Sequence, residues 1–259
     1  MTWQTNMGQS CALGKDVHLN EYKDRSLVEA LIPRMLINLQ GSIYFNGLSG
    51  AFWKLRGIAR SDKNPNLCTG CGLHWSANRV SEVTVLFADC RNYTGLTREL
   101  GAEKIAPMMD DFYRTTAEIV YNHHGIVDKF LGDACMALFN VPVRHDGHVE
   151  DAAQAAVALQ QAVPSLNARW GDTARIQVGV GISTGWAFVG TVGSHNLKDY
   201  TAIGDVVNIA SRLQGQAAPG QILLTQEAYD AVQTHYPNSK RLEYALKGID
   251  EPVAGYLIA

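Results

Sequence analysis

From residue 83 onward, short runs of β-branched and aromatic residues alternate with longer segments whose apolar side chains recur at helical spacing. That alternation restricts the chain to layered architectures in which helices cover a sheet. Residues 83–88, Val-Thr-Val-Leu-Phe-Ala, carry the first strand signal. Residues 102–123 then place Ile105, Met108, Met109, Phe112, Ile119 and Val120 on one helical face, with Gly125 where a helix should stop. Two apolar runs, 126–130 and 135–139, flank Gly132-Asp133 as the arms of a hairpin flank its turn. An alanine-rich helix is predicted over 149–162. A second hairpin is predicted from 176–182 and 187–192, turning at Ser183-Thr184-Gly185-Trp186. A helix over 206–214, a strand over 222–224, a helix over 227–232 and strands over 242–246 and 253–258 complete an α/β sandwich of mixed strands.

Residues 1–80 read differently from 81–259. Leu27, Val28, Ala30 and Leu31 give helical patterning, a glycine-rich middle follows, and the polar stretch 60–66 has the composition of a linker. The stretch 35–53 is uncharged but interrupted by Asn38, Gln40, Gly41, Ser42, Asn46 and Gly47, too polar for a membrane span, which leaves peripheral association open. A hydrophobic content of 46% supports a proper core, while a formal net charge of −3 with scattered basic residues excludes the footprint of a nucleic-acid binder. Five cysteines, an odd number, in a chain without a leader-like start imply a reducing cytoplasm.

Asp89 closes the run 83–88, and Asp133 sits in the Gly-Asp turn. Both carboxylates are thus expected at adjacent strand ends. Two such groups suit Mg²⁺, which takes hard oxygen ligands and is completed by substrate phosphates and water, so the chemistry implied is phosphoryl or nucleotidyl transfer. Lys129, four residues before Asp133, is expected on the same strand face. Asn208 and Arg212, also four apart, share one face of the predicted 206–214 helix.

Three stretches carry a family resemblance: Phe87-Ala88-Asp89-Cys90-Arg91-Asn92-Tyr93-Thr94, Asp128-Lys129-Phe130-Leu131-Gly132-Asp133, and Tyr200-Thr201-Ala202-Ile203-Gly204-Asp205-Val206-Val207-Asn208-Ile209-Ala210-Ser211-Arg212-Leu213. In this order and at these separations they resemble the class III nucleotidyl cyclases, over roughly residue 81 to the C-terminus. The resemblance implies a ferredoxin-like α+β sandwich, a central mixed sheet flanked by helices, which the residue pattern of 1–80 precedes with a helical N-terminal segment. It implies an adenylyl cyclase converting ATP to 3′,5′-cyclic AMP and pyrophosphate. Two Mg²⁺ or Mn²⁺ ions per site would be held by Asp89, Asp133 and the backbone carbonyl of Cys90. Lys129 resembles the lysine that meets adenine N1, and an ammonium, which only donates, suits that acceptor. Thr201 takes the second base-reading position, where many adenylyl cyclases have Asp; the Lys/Thr pairing resembles the bicarbonate-responsive subgroup. By the same resemblance Asn208 positions the ribose, Arg212 stabilises charge on the phosphoryl group, and Lys247 reaches the triphosphate. The metal aspartates and the remaining residues belong to opposite subunits in this family, so one chain owning both sets implies a homodimer with two composite sites. Alternatives are a cyclase for GTP or a pyrimidine triphosphate, and a catalytically silent nucleotide-binding module. One departure is Asn92, where the family usually has Gly; Asn tolerates the left-handed backbone such a turn needs.

Cys68, Cys71 and His74 have the spacing of a zinc or cluster site, with no fourth ligand evident in the chain. Two subunits could pool ligands, or the thiols could be reduced and structural in a linker turn. His123 and His124 are expected as charges at a helix C-terminus rather than ligands.

Overall fold

Twelve residues of one strand organise the domain. In the computed structural model, which describes residues 78–142, 144–171, 175–194, 198–249 and 251–258, strand β3 (Arg79–Cys90) lies between two antiparallel neighbours. The description also includes the backbone of two short strands, β1 (Asp16–His18) and β2 (Ser42–Tyr44), paired antiparallel. Cys68, Cys71, His74, the 60–66 linker and the expected N-terminal helix lie outside the described residues.

The main sheet has eight strands. Its order is β4 (Ile126–Leu131), β5 (Ala134–Phe139), β3, β6 (Val178–Gly193), β8 (Ile222–Thr225), β10 (Val253–Ile258) and β9 (Lys240–Tyr244), with β7 (Lys198–Ile203) pairing β6 off this path. Only the β6–β8 pair is parallel among the described strands. Among the described residues five helices follow in chain order: α1 (Tyr93–Leu100), α2 (Ala102–Asn122), α3 (His148–Trp170), α4 (Asp205–Gln216) and α5 (Gln226–Val232).

The two-residue strand period divides the layers. Leu86, Ala88 and Cys90 face the main core, where Met108, Met109 and Phe112 of α2 meet Leu159 and Leu166 of α3. Phe112 and Leu86 are almost wholly buried, each such side chain contributing about 1.5–3 kcal/mol of transfer free energy. Helix α4 covers the other face, where Leu213 and Ala217 cluster with Leu223 of β8. The mixed sheet flanked by helices agrees with the expected fold class.

Two expectations change. The predicted second hairpin does not exist: residues 178–193 form one strand, and Ser183-Thr184-Gly185-Trp186 is its middle. Strand β3 offers a ladder partner to every residue there, with Ser183 opposite Val85 and Gly185 opposite Val83. Glycine has another purpose in this run, because a Cβ on Gly181 would collide with the backbone of Ala210 and Gln214, so its absence lets α4 approach the sheet. Helix α1 was not anticipated. Tyr93, Leu96 and Leu100 have helical spacing but are only partly buried against the core, and Gly101 at φ +78° separates α1 from α2.

Candidate active site

Strand β3 and the β4–β5 turn bring Asp89 and Asp133 to one end of the sheet. Asp89 lies opposite Ala134 in the ladder, and the Cys90 N–H donates to the Asp133 carbonyl at 3.1 Å, which ties the turn to the strand end. Gly132 supplies the positive φ that this two-residue turn requires. Burial pushes the Asp89 carboxyl above its ordinary value and the charge of Asp133 adds to that push, while Arg91 and a hydrogen bond with Gln214 oppose it. Two neighbouring carboxylates at one strand end, each offering hard oxygens, are a donor set suited to a divalent cation.

Arg91 is a residue the sequence reading did not single out. Its guanidinium lies 3.6 Å from Asp89 Oδ1 and donates to the Gln214 carbonyl of α4. A Cβ on Gly179 would occupy the space the guanidinium fills. Asn92 takes φ +60°, as its tolerance of left-handed backbone led us to expect, and begins α1 there. The thiol of Cys90 is buried in the core and pushed up by burial first and then by the two aspartates, so it is no nucleophile.

Lys129 and Thr201 meet through a residue that sequence reasoning passed over. Asp128 is the extra residue of a β-bulge in β4, and its side chain is wholly buried. Its Oδ2 accepts the Thr201 hydroxyl at 2.7 Å and lies 3.7 Å from Lys129 Nζ. Lys129 also donates to Asp199 Oδ2 at 2.8 Å. Burial draws the Lys129 ammonium down, but the hydrogen bond to Asp199 and the charges of Asp128 and Asp199 outweigh it and raise the group above its ordinary value. Lys129 is therefore a fixed cation and pure donor. Thr201, its proton committed to Asp128, presents its oxygen as an acceptor. The expected shared face of Lys129 and Asp133 does not hold, because β4 ends at Leu131 and Asp133 lies in the turn beyond it. An acidic residue directly after the apolar pair Ile126-Val127 of a strand was the available signal for Asp128.

Asn208 and Arg212 fall on α4, Asn208 exposed and Arg212 partly so. The Arg212 guanidinium sits beside Gly248, at about van der Waals distance from where a Cβ would stand, which places it next to the exposed Lys247. The structure thus forms three groups: Asp89, Cys90, Asp133 and Arg91; Asp128, Lys129, Asp199 and Thr201; and Arg212 with the Lys247-Gly248 turn.

Comparison with known proteins gives the family of the domain. Residues 75–259 match the family described as Adenylate and Guanylate cyclase catalytic domain. The chain is 34% identical over 191 residues, 70% of its length, to an adenylate cyclase of Anabaena cylindrica, and 35% identical over 136 residues, 52% of its length, to Adenylate cyclase 1 of Rhizobium meliloti. It spans 37% and 20% of those two relatives. The structure of the adenylyl cyclase CyaB from P. aeruginosa superposes with a TM-score of 0.66 at 29% identity, covering 71% of this chain and 96% of that one. Among the described residues no helix is long and apolar enough to cross a membrane.

Proposed function

Because the chain belongs to the adenylate and guanylate cyclase catalytic-domain family, we propose that it is an adenylyl cyclase converting ATP to 3′,5′-cyclic AMP and pyrophosphate. The observation that carries the choice of ATP is the buried Asp128, which holds Lys129 as donor and Thr201 as acceptor in one network. Adenine presents an acceptor at N1 beside a donor amino group, and this pair complements both. Guanine presents a donor at the corresponding ring nitrogen and would face the Lys129 ammonium unpaired, at a cost of about 1–3 kcal/mol.

Asp89 and Asp133, with the Cys90 carbonyl, would hold Mg²⁺ or Mn²⁺. When bound, the ions supply activation of the ribose 3′-hydroxyl and neutralisation of triphosphate charge. The chain's own residues position the reactants. Helix α1 begins directly after the Asp89 strand with its first-turn N–H groups uncapped by any side chain and no acidic residue among them, a polarity that favours phosphate oxygens. Asn208 would orient the ribose, and Arg212 and Lys247 would meet the charge that spreads over the phosphoryl group as the bond to pyrophosphate breaks.

A head-to-tail homodimer would bring the aspartates of one subunit to the lysine, threonine, asparagine and arginine of the other. Support comes from an uncovered apolar patch. Val80 is opposite Phe188, Phe188 is opposite Ile203, and Trp186 lies two residues along, so all four share one sheet face. Val80 is 67% and Trp186 68% exposed in the single chain.

Purified protein supplied with Mg²⁺ or Mn²⁺ and each nucleoside triphosphate separately, its products resolved by chromatography, tests the reading. Cyclic AMP as the main product is expected, with preference moving toward GTP in Lys129→Glu/Thr201→Cys. A main product other than cyclic AMP would refute the base assignment, and no cyclic product from any triphosphate would refute the activity.

A further inference from the structure

At the opposite end of the β4–β5 hairpin from Asp133, three side chains outside the cyclase machinery converge. Six residues of β5 separate the two ends, about 20 Å of strand. His124 follows the C-terminal end of α2, His145 lies in the loop after β5, and Asp151 is in the first turn of α3. Asp151 Oδ1 is 3.2 Å from His124 Nδ1, and Asp151 Oδ2 is 2.5 Å from His145 Nδ1. The two imidazoles lie with ring centroids 4.6 Å apart.

We propose that His124, His145 and Asp151 bind one divalent transition-metal ion of the zinc class, clamping the end of α2, the loop after β5 and the start of α3 together. Two imidazoles and a carboxylate with a remaining position for water is a recurrent donor set for such ions. Ligand atoms about 2.0–2.2 Å from a tetrahedral ion stand roughly 3.3–3.5 Å apart. One ligand atom from each of the three residues already lies within 4.8 Å of the others. His145 Nδ1 and Asp151 Oδ2 are both buried and, despite their 2.5 Å separation, neither has a hydrogen bond of acceptable geometry. A shared cation would satisfy both.

The surroundings hold the three groups in place. The backbone N–H of His145 donates to Asn140 Oδ1 at 2.8 Å, and the Asn140 side chain in turn donates to the Glu82 carbonyl at 2.9 Å. Gly147 leaves room for the His145 ring, since a Cβ there would come within 3.3 Å of it. His124 is held at φ +62° and Asn140 at φ +73°, a backbone region sparsely used by residues other than glycine. Nearby groups are otherwise engaged: His148 Nδ1 is bonded to the Thr84 hydroxyl at 2.7 Å, and Glu150 lies 3.7 Å from His235. On this proposal His124, expected from the sequence as a helix-end charge, would be a ligand as well. His123 keeps a terminal role, its ring contacting the Ile119 carbonyl at 2.8 Å.

The test uses the full chain, washed with chelator and then held in excess Mg²⁺, which occupies oxygen-rich sites but suits imidazole poorly. Zn²⁺ is titrated by calorimetry, and bound metal is counted by elemental analysis after dialysis. His124→Asn/His145→Gln is compared with the parent, since Asn tolerates the left-handed backbone at 124. Any zinc held elsewhere, including at the cysteines, is common to both proteins. The expected result is a loss of one zinc equivalent per chain in the variant. In the parent only, a hundredfold excess over Kd should raise the thermal midpoint by about 5–10 °C. Asp151→Asn, measured the same way, should weaken that equivalent at least tenfold and decides the matter where the double variant does not fold. Equal zinc stoichiometry and affinity in the parent and a folded variant would overturn the proposal.

Discussion

Asp128→Asn is the substitution that bears most directly on how the base is read. The side chain keeps its shape, but the buried carboxylate loses its charge. The Thr201 hydroxyl bond, 2.7 Å long, passes from charge-assisted to neutral. Charge-assisted bonds contribute about 1.5–3 kcal/mol and neutral ones about 0.5–1.5, so the change costs roughly 1–1.5 kcal/mol. Lys129 loses a charge 3.7 Å away yet keeps its 2.8 Å bond to Asp199, and with a third of its side chain exposed it adds little to the stability loss. The fold should survive, with a modest fall in urea midpoint. Held less firmly by a neutral amide oxygen, the Thr201 proton can turn toward the base for part of the time and oppose the adenine amino group. The kcat/KM for ATP should then fall about tenfold with that for GTP nearly unchanged, since 1.4 kcal/mol corresponds to a factor of ten. The assay is a double-mutant cycle with Thr201→Val, scoring ATP and GTP turnover separately; contacting residues should show a coupling of about 0.5–1.5 kcal/mol. Additive effects, or equal losses for both nucleotides in a folded variant, would refute the network as the base reader.

Other expectations concern assembly, pH and packing. Asp89→Ala and Arg212→Ala chains, each inactive, should regain turnover when mixed, because a heterodimer would hold one intact composite site; mixed dimers that form and stay silent would contradict the shared-site reading. His148 is held below its ordinary 6.5 by burial, against the raising charges of Glu82, Asp151 and Asp146 and with the lowering charge of His145. The unfolded chain therefore binds that proton first as pH falls, so stability is full above about 6.5 and is lost as pH drops through the lower folded value. Urea midpoints measured from pH 7.5 to 5 should decline, and less steeply in His148→Asn; parallel profiles would refute the assignment. Gly181→Ala would drive a Cβ into the α4 backbone and should destabilise by about 1–3 kcal/mol, read as a lower urea midpoint at unchanged slope.

Much of the domain was legible before any coordinates, for reasons of range. The strand and helix periods of residues 83–139 and the Gly132-Asp133 turn are local signals, and adjacency of two strand ends follows from a short hairpin beside its neighbour; that is why the Asp89–Asp133 pairing could be read in advance. The four-residue spacing of Asn208 and Arg212 likewise needs only a helix. What stayed hidden depends on partners distant in the chain. Val178–Gly193 runs straight through a Thr-Gly pair because β3 supplies ladder partners from Val178 to Val189 and α4 needs the missing Cβ of Gly181. Asp128 becomes a pivot only when β7 brings Thr201 to it across 73 positions. His124, His145 and Asp151 belong to three separate elements, with no common periodicity to connect them. Periodicity records which face a residue presents, whereas long-range pairing selects what that face meets, and burial there turns an ordinary aspartate or histidine into a group with a particular charge and role.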